Sequence, residues 1–82
     1  RRGLTARYRD GADLSGVEAP AILGVTVGGG AGHFIILMWR ERGRMVVGDP
    51  LSGRILLDER GFAKLYRFTG SVMEFGLPPA SG

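Results

Sequence analysis

The fold of this chain is decided by residues 33–49, which read HFIILMWRERGRMVVGD. The stretch from His33 to Arg40 contains the longest strongly apolar run and is typical of a β-strand. Residues 41–43 end in glycine and predict a tight connection. Residues 44–49 are apolar again and are expected to return as the antiparallel partner. This hairpin predicts that the chain folds around an antiparallel sheet.

Segments punctuated by glycine extend this sheet on both sides of the hairpin. Apolar or alternating runs predict further strands at 4–9, 20–27, 54–57 and 71–75. The segments between them are rich in Gly, Asp, Ser and Pro, which predicts loops at 10–19, 28–32 and 50–53. We therefore expect about five or six short strands.

One helix is predicted after the strand at 54–57. The carboxylate of Asp58 can accept from the free amides of a first helical turn, so Asp58 is the expected N-cap. Phe62, Leu65 and Tyr66 then fall on one apolar face of the helix. Gly70 is expected to end it.

The length and the element pattern together predict the fold class. A chain of 82 residues holds one domain at most. The predicted class is α+β, a small curled antiparallel β-sheet with one helix. The domain takes up residues 1–76, and residues 77–82 form a tail or linker.

The amino-acid composition limits which cofactors and partners are expected. The chain contains no cysteine, which excludes disulfides and thiolate metal sites, and we expect no metal or cofactor. Its 11 basic and 8 acidic residues are interspersed, which is typical of a solvated surface, so no nucleic-acid partner is expected. The longest strongly apolar run, residues 34–39, is far shorter than the ~20 residues that a membrane-spanning helix needs.

A glycine-rich loop precedes the central hairpin at residues 28–32, GGGAG. It is followed by a strand and lacks the Lys-Ser/Thr of a phosphate-binding loop, so nucleotide binding is rejected. Two interpretations stay open for it: the rim of a substrate cleft, or a plain hairpin connection.

His33 and Asp49 are the candidate catalytic residues. Imidazole is the side chain best suited to act as a base near neutral pH, and His33 is the only histidine. Asp49 ends the return strand, and the parity of the hairpin places both side chains on the same face. A carboxylate there can accept from the imidazole and fix its tautomer, which is the task of the third member of a catalytic triad.

Three motifs around these residues resemble a known family: GHFIIL at 32–37, VVGDP at 46–50 and GR at 53–54. They are similar to motifs of the bacteriocin-processing cysteine peptidases, which remove double-glycine leader peptides. Residues 3–7, 19–23 and 58–70 also resemble segments of that family, so the resemblance extends over residues 3–76.

The resemblance implies that the chain is the β half of a papain-like cysteine peptidase fold. His33 matches the general base, and Asp49 matches the residue that orients it. The Cys nucleophile and an oxyanion-hole Gln belong to a helical half upstream, which this chain lacks, so whether the chain alone is an enzyme is uncertain. The implied reaction is hydrolysis after the double glycine of a leader peptide.

The resemblance also implies partners and a location. The partners are the leader peptide, the missing helical half or a second chain, and the transmembrane and ATP-binding domains of an exporter in the parent protein. The location is cytoplasmic, or the cytoplasmic face of that exporter.

Two other functions stay open. One is a peptidase-like domain without a nucleophile that binds substrates for export. The other is a small basic β-barrel that binds nucleic acid or protein.

Overall fold

The structure is a computed structural model that describes residues 5–76. Residues 1–4, which include the predicted start of the first strand, and the predicted tail at 77–82 lie outside the described residues. The described part consists of six strands, one helix and short 3-10 turns at Leu14–Gly16 and Gly28–Gly30. The elements are β1 Thr5–Arg9, β2 Ala21–Val27, β3 Ala31–Glu41, β4 Arg44–Asp49, β5 Gly53–Leu57, α1 Glu59–Leu65 and β6 Arg67–Gly76.

All six strands form one antiparallel sheet in the order β1-β6-β2-β3-β4-β5. Strands β2 to β5 follow one another as hairpins. The predicted hairpin of residues 33–40 and 44–49 is found between β3 and β4, with a register shift between Leu37 and Trp39. Helix α1 then carries the chain back, so that β6 pairs with both β2 and β1. The predicted small antiparallel sheet with one helix is confirmed.

One face of the sheet is covered. Side chains of paired residues in adjacent strands, among them Leu23, Ile35 and Val47, point to this face and are fully buried. Phe62 and Tyr66 of the helical segment pack into the same core cluster. We call this side the covered face. Its side chains alternate with those of the opposite side, as the period of a β-strand requires.

The opposite side, which we call the open face, carries exposed apolar side chains on neighbouring strands. Tyr8 pairs with Met73, Met73 with Ile22, and Ile22 with Ile36, so these side chains form a continuous row. Phe34 lies beside this row and is 65% exposed. Within residues 5–76, no element covers the open face.

The start of the helix agrees with the sequence prediction. Asp58 is the N-cap, and its Oδ1 accepts from the backbone N–H of Gly61 at 2.7 Å. The connection predicted at residues 28–32 is shorter in the structure. Only Gly28–Gly30 link β2 to β3, and Ala31 already belongs to β3.

The predicted role of Gly70 as the helix stop is wrong. The helix ends at Leu65, where Tyr66 turns to an extended conformation, and Arg67 then pairs with Thr26 of β2. Sheet pairing therefore ends the helix before Gly70 is reached. Gly70 lies within β6 with a φ of 93°, and a Cβ there would meet the Gly11 backbone at 3.2 Å.

Candidate functional site

The two predicted catalytic side chains meet on the covered face. Ile36 pairs with Gly48, so Asp49 comes level with residue 35 and His33 lies two residues further along β3. The shared face brings the side chains together across this diagonal. His33 Nε2 lies 2.8 Å from Asp49 Oδ1.

Asp49 is held by donors on both carboxylate oxygens. Its Oδ1 is bonded to His33 and also accepts from the backbone N–H of Leu51 at 2.8 Å. Its Oδ2 accepts from the hydroxyl of Tyr66. With only 6% of the residue exposed, these three partners replace water around a buried charge.

The hydrogen bonds keep Asp49 ionised. The Tyr66 hydroxyl, the imidazole of His33 and the Leu51 amide, in that order, lower the pKa of Asp49 from 3.8 to about 2, against the opposing effect of burial. Hydrogen bonds to a carboxylate favour its charged form. Asp49 therefore acts purely as an acceptor near neutral pH.

This state of Asp49 decides where the imidazole proton lies. A carboxylate that only accepts requires a donor, so the proton of neutral His33 is on Nε2. The other nitrogen, Nδ1, then carries the lone pair. Nδ1 has no hydrogen-bond partner within residues 5–76, and the His33 side chain is 16% exposed. A basic nitrogen is thus available to a group that arrives from outside.

Tyr66 is the member of the site that the sequence prediction missed. It was expected only on the apolar face of the helix. The residue is 6% exposed, and burial and the bond to Asp49 raise the pKa of its hydroxyl to about 12. Chemistry could have indicated the contact between Tyr66 and Asp49, because a buried tyrosine needs a hydrogen-bond partner for its hydroxyl.

The glycine-rich connection lies on the rim of a groove. The groove has a volume of about 340 Å³ and runs between Gly28–Gly30 and the end of α1, where Lys64, Tyr66 and Arg67 line it. Tyr66 therefore links this groove to Asp49. Both interpretations of the glycine segment are compatible with this geometry, since it is a hairpin connection that also borders a groove.

The end of β3 that carries His33 has a strand on one side only. Pairing with β2 begins at Ala31, whereas pairing with β4 begins at Ile36. Residues 31–34 consequently extend beyond the end of β4. Such an edge presents backbone groups that an extended peptide can pair with.

A second buried carboxylate, Glu74 of β6, lies away from this site. It accepts from the Glu18 backbone N–H at 2.8 Å and forms ion pairs with Arg7 and Arg9 at 3.3 and 3.0 Å. These contacts lower the pKa of Glu74, with the Glu18 bond contributing most. The cluster fastens β1 and the segment before β2 to the sheet and offers no reactive group.

The described residues hold neither a metal cluster nor a membrane span. No group of three or more His, Cys, Asp and Glu side chains lies together in residues 5–76. No helix in that part of the chain is long and apolar enough to cross a membrane.

No model of a known protein family matches the chain, and a search of the curated proteins finds no similar sequence. A proposal for the function of this chain therefore depends on the geometry of the site and on the motifs around it.

Proposed function

We propose that this chain is the sheet half of a papain-like cysteine peptidase, in which His33 is the general base and Asp49 orients it. One observation carries the proposal: Asp49 binds Nε2 of His33 and leaves Nδ1 open. A cysteine peptidase needs this arrangement, because its imidazole must take a proton on one side while a third residue holds the other.

The nucleophile in this proposal is a cysteine of a helical half encoded upstream, since the chain has no cysteine. Its thiol gives a proton to Nδ1 of His33, which forms a thiolate and an imidazolium beside the Asp49 carboxylate. The thiolate attacks the scissile carbonyl, and the imidazolium protonates the leaving amine. Water then releases the acyl group from sulfur, with His33 taking the proton of the water.

The free edge at residues 31–34 is the observation that supports a peptide as the substrate. An extended peptide that pairs with this edge lies directly beside His33. The first residues of the edge, Ala31 and Gly32, have at most one side-chain carbon and leave the backbone accessible. We propose the peptide bond after the double glycine of a leader as the bond that is cut, on the strength of the resemblance in the motifs.

The exposed apolar side chains of the open face support the proposal that a partner binds there. Contiguous exposed apolar side chains often mark an interaction site. We propose that the helical half packs against the open face, because Phe34 points to that face and directly follows His33 in the chain. A segment that covers Phe34 can reach around the end of the sheet to Nδ1. In the parent protein this unit would work on the cytoplasmic side of an exporter.

The test uses the longer protein that includes the residues encoded before Arg1. We expect it to cut a synthetic double-glycine leader peptide after the second glycine, and we expect alkylation of an upstream cysteine to stop the reaction. Absence of a cysteine in the upstream segment would contradict the proposal.

A second function is favoured by the missing thiol itself. A domain that keeps His33 and Asp49 but has no nucleophile can bind the same peptides without cutting them. Binding of the leader peptide without cleavage, together with an upstream segment that lacks cysteine, would support this function instead.

A further inference from the structure

Tyr66 connects the packing of the helix to the imidazole through Asp49. Its hydroxyl donates to Oδ2 of Asp49, and no other described residue bonds to that oxygen. Its backbone N–H donates to the carbonyl of Phe62 at 2.9 Å, and its ring centroid lies 5.2 Å from that of Phe62. Tyr66 is thus fixed on one side by α1 and bonded on the other side to the carboxylate.

We propose that Tyr66 is a positioning residue, which holds the Asp49 carboxylate in the orientation that keeps the His33 proton on Nε2. Its catalytic meaning rests on the proposed function, whereas the positioning is a property of the described chain itself. Tyr66 touches neither the imidazole nor the reacting atoms, so it acts only through Asp49.

The need for a third holding group follows from the position of Asp49 in the chain. Asp49 is the last residue of β4, and a turn follows it. Its Oδ1 is shared by His33 and the Leu51 amide, so these two bonds hold only one of the two carboxylate oxygens. The bond from Tyr66 to Oδ2 adds a second point of attachment. Two attached oxygens define the plane of the carboxylate, and with it the direction of the bond to His33.

Tyr66 is also the right chemical type for this task. A phenol donates one proton and stays neutral across the physiological range, so it supports the charge on Asp49 without competing for it. A charged donor at the same place would pair with Asp49 and weaken its attraction for an imidazolium. A phenylalanine would fill the same space and leave Oδ2 buried without a donor.

The experiment compares Tyr66→Phe with Tyr8→Phe in the 82-residue chain. Both variants lose one hydroxyl, but the Tyr8 hydroxyl contacts Asp10 and Ser71 on the other face of the sheet. Two quantities are followed by NMR: exchange of the His33 Nε2 proton with water, and the titration of the Asp49 carboxyl carbon. Neither measurement requires peptidase activity or a nucleophile.

We expect Tyr66→Phe to speed exchange of the Nε2 proton by roughly tenfold or more and to raise the pKa of Asp49 by about one to two units. We expect Tyr8→Phe to change neither. Unchanged exchange and an unchanged Asp49 pKa in Tyr66→Phe would overturn the proposal. Equal changes in both variants would also overturn it, because they would show a general loosening of the fold.

A reciprocal measurement serves if Tyr66→Phe does not fold. In Asp49→Asn the acceptor loses its charge, and we expect the hydroxyl proton of Tyr66 to exchange roughly tenfold faster than in the parent chain. An unchanged rate would overturn the proposal. The proposed peptidase function fails separately, if the longer protein cuts no leader peptide while the coupling between Tyr66, Asp49 and His33 is present.

Discussion

His33 and Asp49 bond to each other at 2.8 Å although they are not opposite each other in the sheet. The bond crosses a diagonal between β3 and the last residue of β4. It uses the Nε2 atom, which leaves Nδ1 open at an end of β3 where β4 has already stopped. The relationship is the one that the proposed role of His33 as a base requires.

The pH dependence of stability is the first prediction from this pair. The pKa of Asp49 is lowered from 3.8 to about 2 in the folded chain, so its contribution is fully present above about pH 4 and is lost as the pH falls through 2. The shift corresponds to about 2 kcal/mol of unfolding free energy. The titration falls roughly between pH 5 and 2. Urea unfolding across this range should show the loss of unfolding free energy.

Asp49→Asn is the variant that isolates this contribution. It keeps the shape of the side chain and removes its titration, so its stability should fall less steeply with acid than that of the parent chain. Glu74 titrates in the same direction and is present in both proteins, so its contribution cancels in the comparison. If the unfolding free energies of the two proteins fell identically with pH, this would contradict the claim that Asp49 is ionised and held by three hydrogen bonds.

Glu74→Gln should weaken the attachment of β1. The change removes the charge that pairs with Arg7 and Arg9, and we expect a loss of roughly 2–3 kcal/mol in unfolding free energy. Amide hydrogen exchange should rise first in β1 and around Glu18, which donates to the same carboxylate. The matched control is Glu59→Gln in the exposed first turn of α1, where little change is expected. Equal effects of the two substitutions would refute this role of Glu74.

Gly70→Ala should destabilise the fold by roughly 1–3 kcal/mol. Gly70 has a φ of 93°, and an added Cβ would press on the backbone of Gly11 at 3.2 Å. Gly16→Ala is the control, because nothing lies within 4 Å of a Cβ at that position. Thermal unfolding of both variants would decide the point, and a Gly70 variant as stable as the Gly16 variant would contradict it.

The chain alone should self-associate through the open face, since a second copy is then the only cover for its apolar row. Ile36 lies at the β3 end of that row, next to Phe34, and is 46% exposed. We expect Ile36→Ser to weaken association at least roughly tenfold, from the apolar area that it removes. Leu51→Ser removes a more exposed side chain in a turn and is the control. Light scattering that finds the parent chain monomeric at every concentration would argue against this use of the face.

Much of the architecture follows from local patterns. His33 and Asp49 share one face only because the register shifts by one between Leu37 and Trp39, but the hairpin around residues 41–43 and the Asp58 cap form as the sequence predicts. Such features depend on neighbours in the chain, and the physical rules for them act over a few residues.

The features that were missed depend on distant segments. The helix ends at Leu65, not near Gly70, because residues 67 and 68 find partners in β2 about 40 residues away. The contact between Tyr66 and Asp49 requires the path of α1 across the covered face. Glu74 meets the Glu18 amide 56 positions away. Local periodicity contains no information on such pairings.

The most direct test of the central claim is the rate of leader-peptide cleavage by the longer protein with and without His33→Ala. A general base contributes roughly 100-fold or more to such a reaction. Glu59→Gln, which changes an exposed side chain of α1 outside the groove and away from Asp49, is the comparison variant. We predict that His33→Ala lowers the cleavage rate at least roughly 100-fold, while its circular dichroism spectrum is unchanged. Cleavage by His33→Ala at the rate of the parent protein would contradict the assignment of His33 as the base.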